Sequence, residues 1–222
     1  MPGLTGHSLI ATSGHATLIP AGRMLAPVPM TPGPHLDRLN EALAREAAGH
    51  RALLTGDEDA ARPALAEAVA GYRASWELAP PGSYGRLIGA LKAAVLAGDA
   101  AGVAAYAREQ IPAATSPPSA YALAIAALVV GDDAQAAELA RTMREGSDPF
   151  VRAADAIAAL SAGDAAAYAA AVRAIVADFE GRDAHLTGVP IADTALMLER
   201  LAEARGIAAA PASPLLPADA GR

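Results

Sequence analysis

A chain of 222 residues with 17 basic and 24 acidic side chains, net charge −7, 53% apolar content and no cysteine describes a mildly acidic globular protein of one or two domains. Lacking cysteine, it has no disulfide scaffold, no thiol nucleophile and no Cys-based zinc or iron–sulfur site, and its negative balance argues against nucleic acid as a direct ligand. Alanine supplies 62 residues against two Phe and one Trp, so the apolar mass sits in small helix formers and an all-α fold is expected.

Residues 1–34 hold six of the 17 prolines and no sustained helical period, which predicts an irregular Pro-rich N-terminal arm. The arm has no signal-peptide pattern, and the longest apolar run, AYALAIAALVV at 120–130, is too short to span a bilayer. A cytoplasmic protein with no membrane partner is the expectation. The helical domain is placed at 35–206, with a Pro-broken tail over 207–222.

From His35 onward Leu36, Leu39, Leu43, Ala47 and Leu54 recur at helical spacing, and Leu65, Val69, Tyr72 and Trp76 form a second stripe that ends at Pro80 and Pro81. One phrase then returns four times: ALLTGDEDAAR at 52, AVLAGDAAGVA at 94, ALVVGDDAQAA at 127 and ALSAGDAAAYA at 159. Each reads as a helix end, a glycine that takes the left-handed conformation, and an aspartate that caps the next helix. Proline turns, PPGS at 80, TSPPS at 115 and SDPF at 147, alternate with these. Helix pairs are therefore expected near 36–55 with 58–79, 84–97 with 100–113, 118–130 with 133–145, and 149–162 with 165–180. A last helix near 190–205 caps the stack. Gly56, Gly98, Gly131 and Gly163 are spaced by 42, 33 and 32 residues, and a spacing near 34 with one helix pair per period predicts a tetratricopeptide-like α-solenoid of about four helix pairs.

No catalytic set emerges. The five histidines, His7, His15, His35, His50 and His185, contain no pair at i,i+3 or i,i+4, so neither metal nor cofactor is expected. Asp183 with His185 reads as loop polarity, and GSYGRLIG at 82 as a helix start, since no strand precedes it and it lacks the GK[ST] ending of a phosphate loop. Tyr168, Val172, Ile175, Val176 and Phe179 form the stripe of a packed helix, and Trp76 is either a core plug or an exposed anchor. If the Gly-Asp turns share one edge of the solenoid, Asp57, Asp99, Asp132 and Asp164 line it together with Glu58, Asp59 and Asp133. The candidate partner-binding residues are Asp57, Glu58, Asp59, Trp76, Asp132 and Asp133, on an edge suited to a basic protein partner.

The helix-Gly-Asp-helix phrase resembles the tetratricopeptide family, with Ala61 and Ala136 at the expected position five residues after the glycine and Val103 and Tyr168 departing from it. From about residue 84 onward the chain resembles the all-α immunity proteins of bacterial polymorphic toxin systems, the immunity protein 49 family among them. The segments that carry this are GRLIGALKAAVLAGD, YALAIAALVVGDD, AGDAAAYAAAVRAIVADFE and the run into RGIAAAPASPLLP. That resemblance implies a non-catalytic cytoplasmic protein that binds and neutralises a cognate toxin domain. An adaptor gripping a peptide on its concave face, and a small-molecule enzyme or accessory factor closed by the histidine-bearing arm, are the other two expectations.

Overall fold

The structure, a computed structural model, describes residues 33–218. The expected arm, with His7 and His15, lies outside the described residues except for Gly33 and Pro34, which already open the first helix. The chain is all-α, a helical-repeat fold with no strand among the described residues. Four consecutive pairs run α1 (Pro34–Leu54) with α2 (Glu58–Leu78), α3 (Gly85–Ala97) with α4 (Ala101–Gln110), α5 (Pro117–Val129) with α6 (Asp133–Met143), and α7 (Asp148–Ala162) with α8 (Ala165–Glu180), followed by α9 (Asp193–Glu203). None is long and apolar enough to cross a membrane.

The repeated phrase forms the same turn four times. Gly56, Gly98, Gly131 and Gly163 all have positive φ, between 67° and 81°. In each turn the aspartate N–H donates to the carbonyl five residues back and the glycine N–H to that three residues back, as in Asp132 to Ala127 (2.9 Å) and Gly131 to Leu128 (3.2 Å). Asp57, Asp132 and Asp164 then cap α2, α6 and α8 through their side chains, each at 3.0 Å. Asp99 is the exception. Helix α4 begins one residue later, with Ala100 at its cap position and no side-chain bond, so this aspartate does not cap. At the proline turns only Ser116 caps, in a reciprocal pair with Ser119, while the Ser83 hydroxyl bonds back to the Pro80 carbonyl and Ser147 makes no side-chain cap.

The layers follow from which helices touch. Each helix packs on its chain neighbours, and α3 also packs on α5 and α5 on α7, so these odd-numbered helices form an inner layer. Alanines at 0–1% exposure, such as Ala90, Ala94, Ala124, Ala126 and Ala154, permit that close approach. The stripe Tyr168, Val172, Ile175, Val176 and Phe179 is buried throughout, as its spacing required. Helix α9 lies against α3, α7 and α8, closing the stack from its inner side. Three of its side chains and that of Arg205 just beyond it reach far across the fold. Asp193 pairs with Lys92, Arg200 with Glu58 and Arg205 with Asp133, while Glu199 accepts from Tyr168 and from the backbone N–H groups of Ala209 (3.2 Å) and Ala210 (2.6 Å). The tail thus packs back, with Leu216 buried and the Leu215 carbonyl bonded to the Ala192 N–H.

The inner layer has one break. Helix α1 packs tightly on α2 and shares no comparable packing with α3. The space between them is a cleft.

Candidate binding cleft and its buried polar floor

Helix α1 directs one stripe toward the cleft: Leu39, Leu43, Glu46, His50 and Leu53, at alternating steps of four and three. Leu39 and Leu43 are half-buried because they line the cleft, whereas Glu46 and His50 are 2% and 1% exposed. A carboxyl and an imidazole thus occupy positions whose spacing belongs to apolar residues. Helix α2 adds Tyr72, whose phenol donates to Glu46 Oε2 at 2.6 Å. That reach depends on Gly89 of α3, since a Cβ there would stand 2.6 Å from the Tyr72 ring.

Helix α3 contributes Lys92, the only lysine of the chain, which pairs with Asp193 at the start of α9 and donates to Thr194 Oγ1 at 3.2 Å. Asp193 also accepts from the Thr194 N–H at 2.7 Å. His50 Nδ1 lies 3.3 Å from Thr187 Oγ1, and its Nε2 faces Glu46 Oε1 at 3.8 Å without a hydrogen-bond partner. The 183–192 loop supplies Thr187 and Leu186, the latter 79% exposed at the cleft mouth.

Burial sorts these groups by charge. It pushes the Glu46 carboxyl up to about 7, against the opposing pull of the Lys92 ammonium, and pushes His50 down to about 4. Burial also opposes the charge on Lys92 and on Asp193, but each offsets it for the other, so the pair stays ionised, Lys92 above its usual range and Asp193 below it. The Tyr72 phenol is raised by burial and by Glu46 beside it, so it remains a donor.

Donor atoms of Glu46, His50 and Asp193 lie within 4.8 Å of one another and could face one cation. The ammonium of Lys92 already holds the Asp193 carboxylate and supplies positive charge there. No nucleophile with an adjacent base is present in the cluster, which is built to hold polar groups at the bottom of a recess. That recess, about 300 Å³, is walled by Leu39, Leu43, Ile88 and Leu186 and floored by Glu46, Lys92 and Asp193, with Arg86 at its other end.

The residues singled out by sequence lie elsewhere. Asp57, Glu58 and Asp59 stand at the start of α2 and Trp76 near its end, about 27 Å away along the helix axis. Asp57 and Asp132 cap helices, Glu58 and Asp133 pair with Arg200 and Arg205, and Asp59 is exposed. Trp76 is half-buried, its indole donating to Gln110 Oε1 at 3.1 Å and its ring 5.8 Å from that of Tyr84. No hydrogen bond joins Asp183 to His185, whose ring stacks on Phe179 at 6.2 Å. Sequence reasoning passed over Glu46, Tyr72 and Lys92 as site residues because it sought pairs of histidines. The available signal was a carboxylate and a histidine at i,i+4 on the apolar stripe of α1.

Compared with known proteins, the chain matches no family model, no curated protein and no solved structure.

Proposed function

We propose that the chain is a non-catalytic protein-binding module of the immunity type, which engages a cognate toxin domain at the cleft between α1 and α3. The observation that carries this reading is the recess itself: an apolar, pre-formed pocket with an exposed leucine at its mouth accepts one or two anchor side chains of a partner. The segment 85–99, one of those that carry the resemblance to immunity proteins, lies on the cleft and contributes Ile88 and Lys92 to it. The acidic edge has less support as the contact surface, since Glu58 and Asp133 are neutralised within the chain. An adaptor gripping an extended peptide on the inner layer also has less support, because α9 lies against α3 and α7 there.

The test is affinity capture from the native host with the full chain and with Leu186→Asp, a change at an exposed position. Expected is one large polypeptide whose C-terminal domain suffices for capture, is toxic when expressed alone, and is tolerated when the chain is co-expressed. Capture should fall with Leu186→Asp. Equal capture by both proteins, or toxicity unrelieved by the chain, would overturn the reading.

The convergence of Glu46, His50, Tyr72, Lys92 and Asp193 at the cleft floor favours a second reading, a small-molecule enzyme or accessory factor. Retained partner capture by Leu186→Asp together with a thermal shift on adding host metabolite extract would favour it.

A further inference from the structure

The end of the cleft opposite the polar floor holds a cation with no counter-ion among the described residues. Arg86, the second residue of α3, is 7% exposed, and its Nε donates to Ser75 Oγ at 2.7 Å. Ser75 in turn donates to the His35 carbonyl at 2.6 Å, so the guanidinium is anchored at one edge of its fork. Its two terminal nitrogens have no hydrogen-bond partner and no carboxylate pairs with it among the described residues, although Arg86 lines the cleft. Burial of the side chain opposes the charge of the guanidinium, whose terminal nitrogens face the cleft.

A second feature points the same way. Helix α3 opens without a side-chain cap, its cap position being Tyr84, and Gly85 lines the cleft beside Arg86. The Arg86 N–H bonds to the Ser83 carbonyl at 3.1 Å, while the Gly85 N–H and the positive end of the helix dipole remain at this end of the cleft. From Arg86 the recess runs along α3 to Lys92, about 9 Å of helix axis, between the apolar side chains of Leu39, Leu43 and Ile88.

We propose that this cleft is a receptor site for a carboxylic acid with an unbranched apolar body, its carboxylate held by the Arg86 fork at the N-terminus of α3 and its chain lying between α1 and α3. The proposal shares the cleft with the function proposed above but does not depend on a protein partner. Charge complementarity selects the head group, because a planar carboxylate matches the two free nitrogens. The walls select the body.

Octanoate, 1-octanol, octylamine and acetate, titrated into the full chain by calorimetry, test it. Octanoate should bind about tenfold or more tighter than octanol, the difference a charge-assisted bond supplies. Octylamine should bind no better than octanol, and acetate should not bind measurably. In Arg86→Met, octanoate should weaken to the level of octanol. Equal affinity of octanoate and octanol in the unaltered chain, or no binding of octanoate, overturns the proposal without any variant having to fold. Partner capture retained in Arg86→Met while octanoate weakens to the level of octanol would separate this site from the protein-binding role. Capture without octanoate binding would leave that role standing and remove this one.

Discussion

Glu46 and His50 should mask each other in the dependence of stability on pH, and removing either should expose the other. In the folded chain the Glu46 carboxyl is raised from 4.5 to about 7, so between these values the folded state holds a proton that the unfolded state releases. Stability from this group therefore falls as pH rises, by about 3 kcal/mol across the window. His50 is lowered from 6.5 to about 4, so over that interval the unfolded state carries the extra proton and stability rises with pH by about 3 kcal/mol as well. The two slopes have opposite sign and overlap between roughly pH 4.5 and 6.5, where they cancel. In Glu46→Gln only the histidine slope remains, and the variant should gain stability relative to the parent as pH rises from 4.5 to 7. In His50→Gln the difference should run the other way, falling as pH rises from 4 to 6.5. Urea unfolding midpoints at half-unit pH steps, compared between each variant and the parent, remove the background from exposed carboxylates. Parallel curves for all three proteins, or difference slopes of the same sign for the two variants, would refute the reasoning.

Lys92→Met strands the Asp193 carboxylate, whose side chain is 13% exposed, and should destabilise by about 3 kcal/mol. Adding Asp193→Asn should recover much of that loss in denaturant titration, since a neutral pair replaces an isolated charge. Gly131→Ala should cost only about 1 kcal/mol, because φ is +77° there but no atom lies within 4 Å of the new Cβ. Gly89→Ala should cost about 1–3 kcal/mol, since its Cβ meets the Tyr72 ring at 2.6 Å, and should displace the phenol from Glu46, visible in the near-ultraviolet dichroism of tyrosine. Ala210→Gly should stabilise, by about 1 kcal/mol, the one described non-glycine residue at positive φ, measured as a rise in melting temperature.

The helices and turns were legible in the sequence because their signals are local. Gly-Asp after an apolar helix end and Pro at the start of the next specify both boundaries of a turn, and the observed helices begin and end close to where those residues place them. Helix α4 stops three residues short of its expected end, with Ile111 leaving the α conformation just before Pro112. The cleft was not legible, because it depends on which helices fail to touch. Leu39 and Leu43 follow the pattern of core residues whether or not α3 covers them. Lys92 reads as a surface residue until Asp193, 101 positions later, is folded against it. Periodicity did carry one unused clue: Glu46 and His50 interrupt an apolar stripe at positions where burial is demanded.

The reach of α9 alters how the chain folds and melts. A stack in which each pair touches only its neighbours gains stability one unit at a time, so its ends fray independently and partial structures accumulate. Here Arg200 is tied to the beginning of α2, Asp193 to α3, Arg205 to α6 and Glu199 to α8, over separations of up to 142 residues. Those ties form only when the last helix docks, so the pairs gain their final stability together. The consequence is a modular sequence whose helix pairs are coupled by the docking of α9 and of the turn just beyond it, which favours a single cooperative transition.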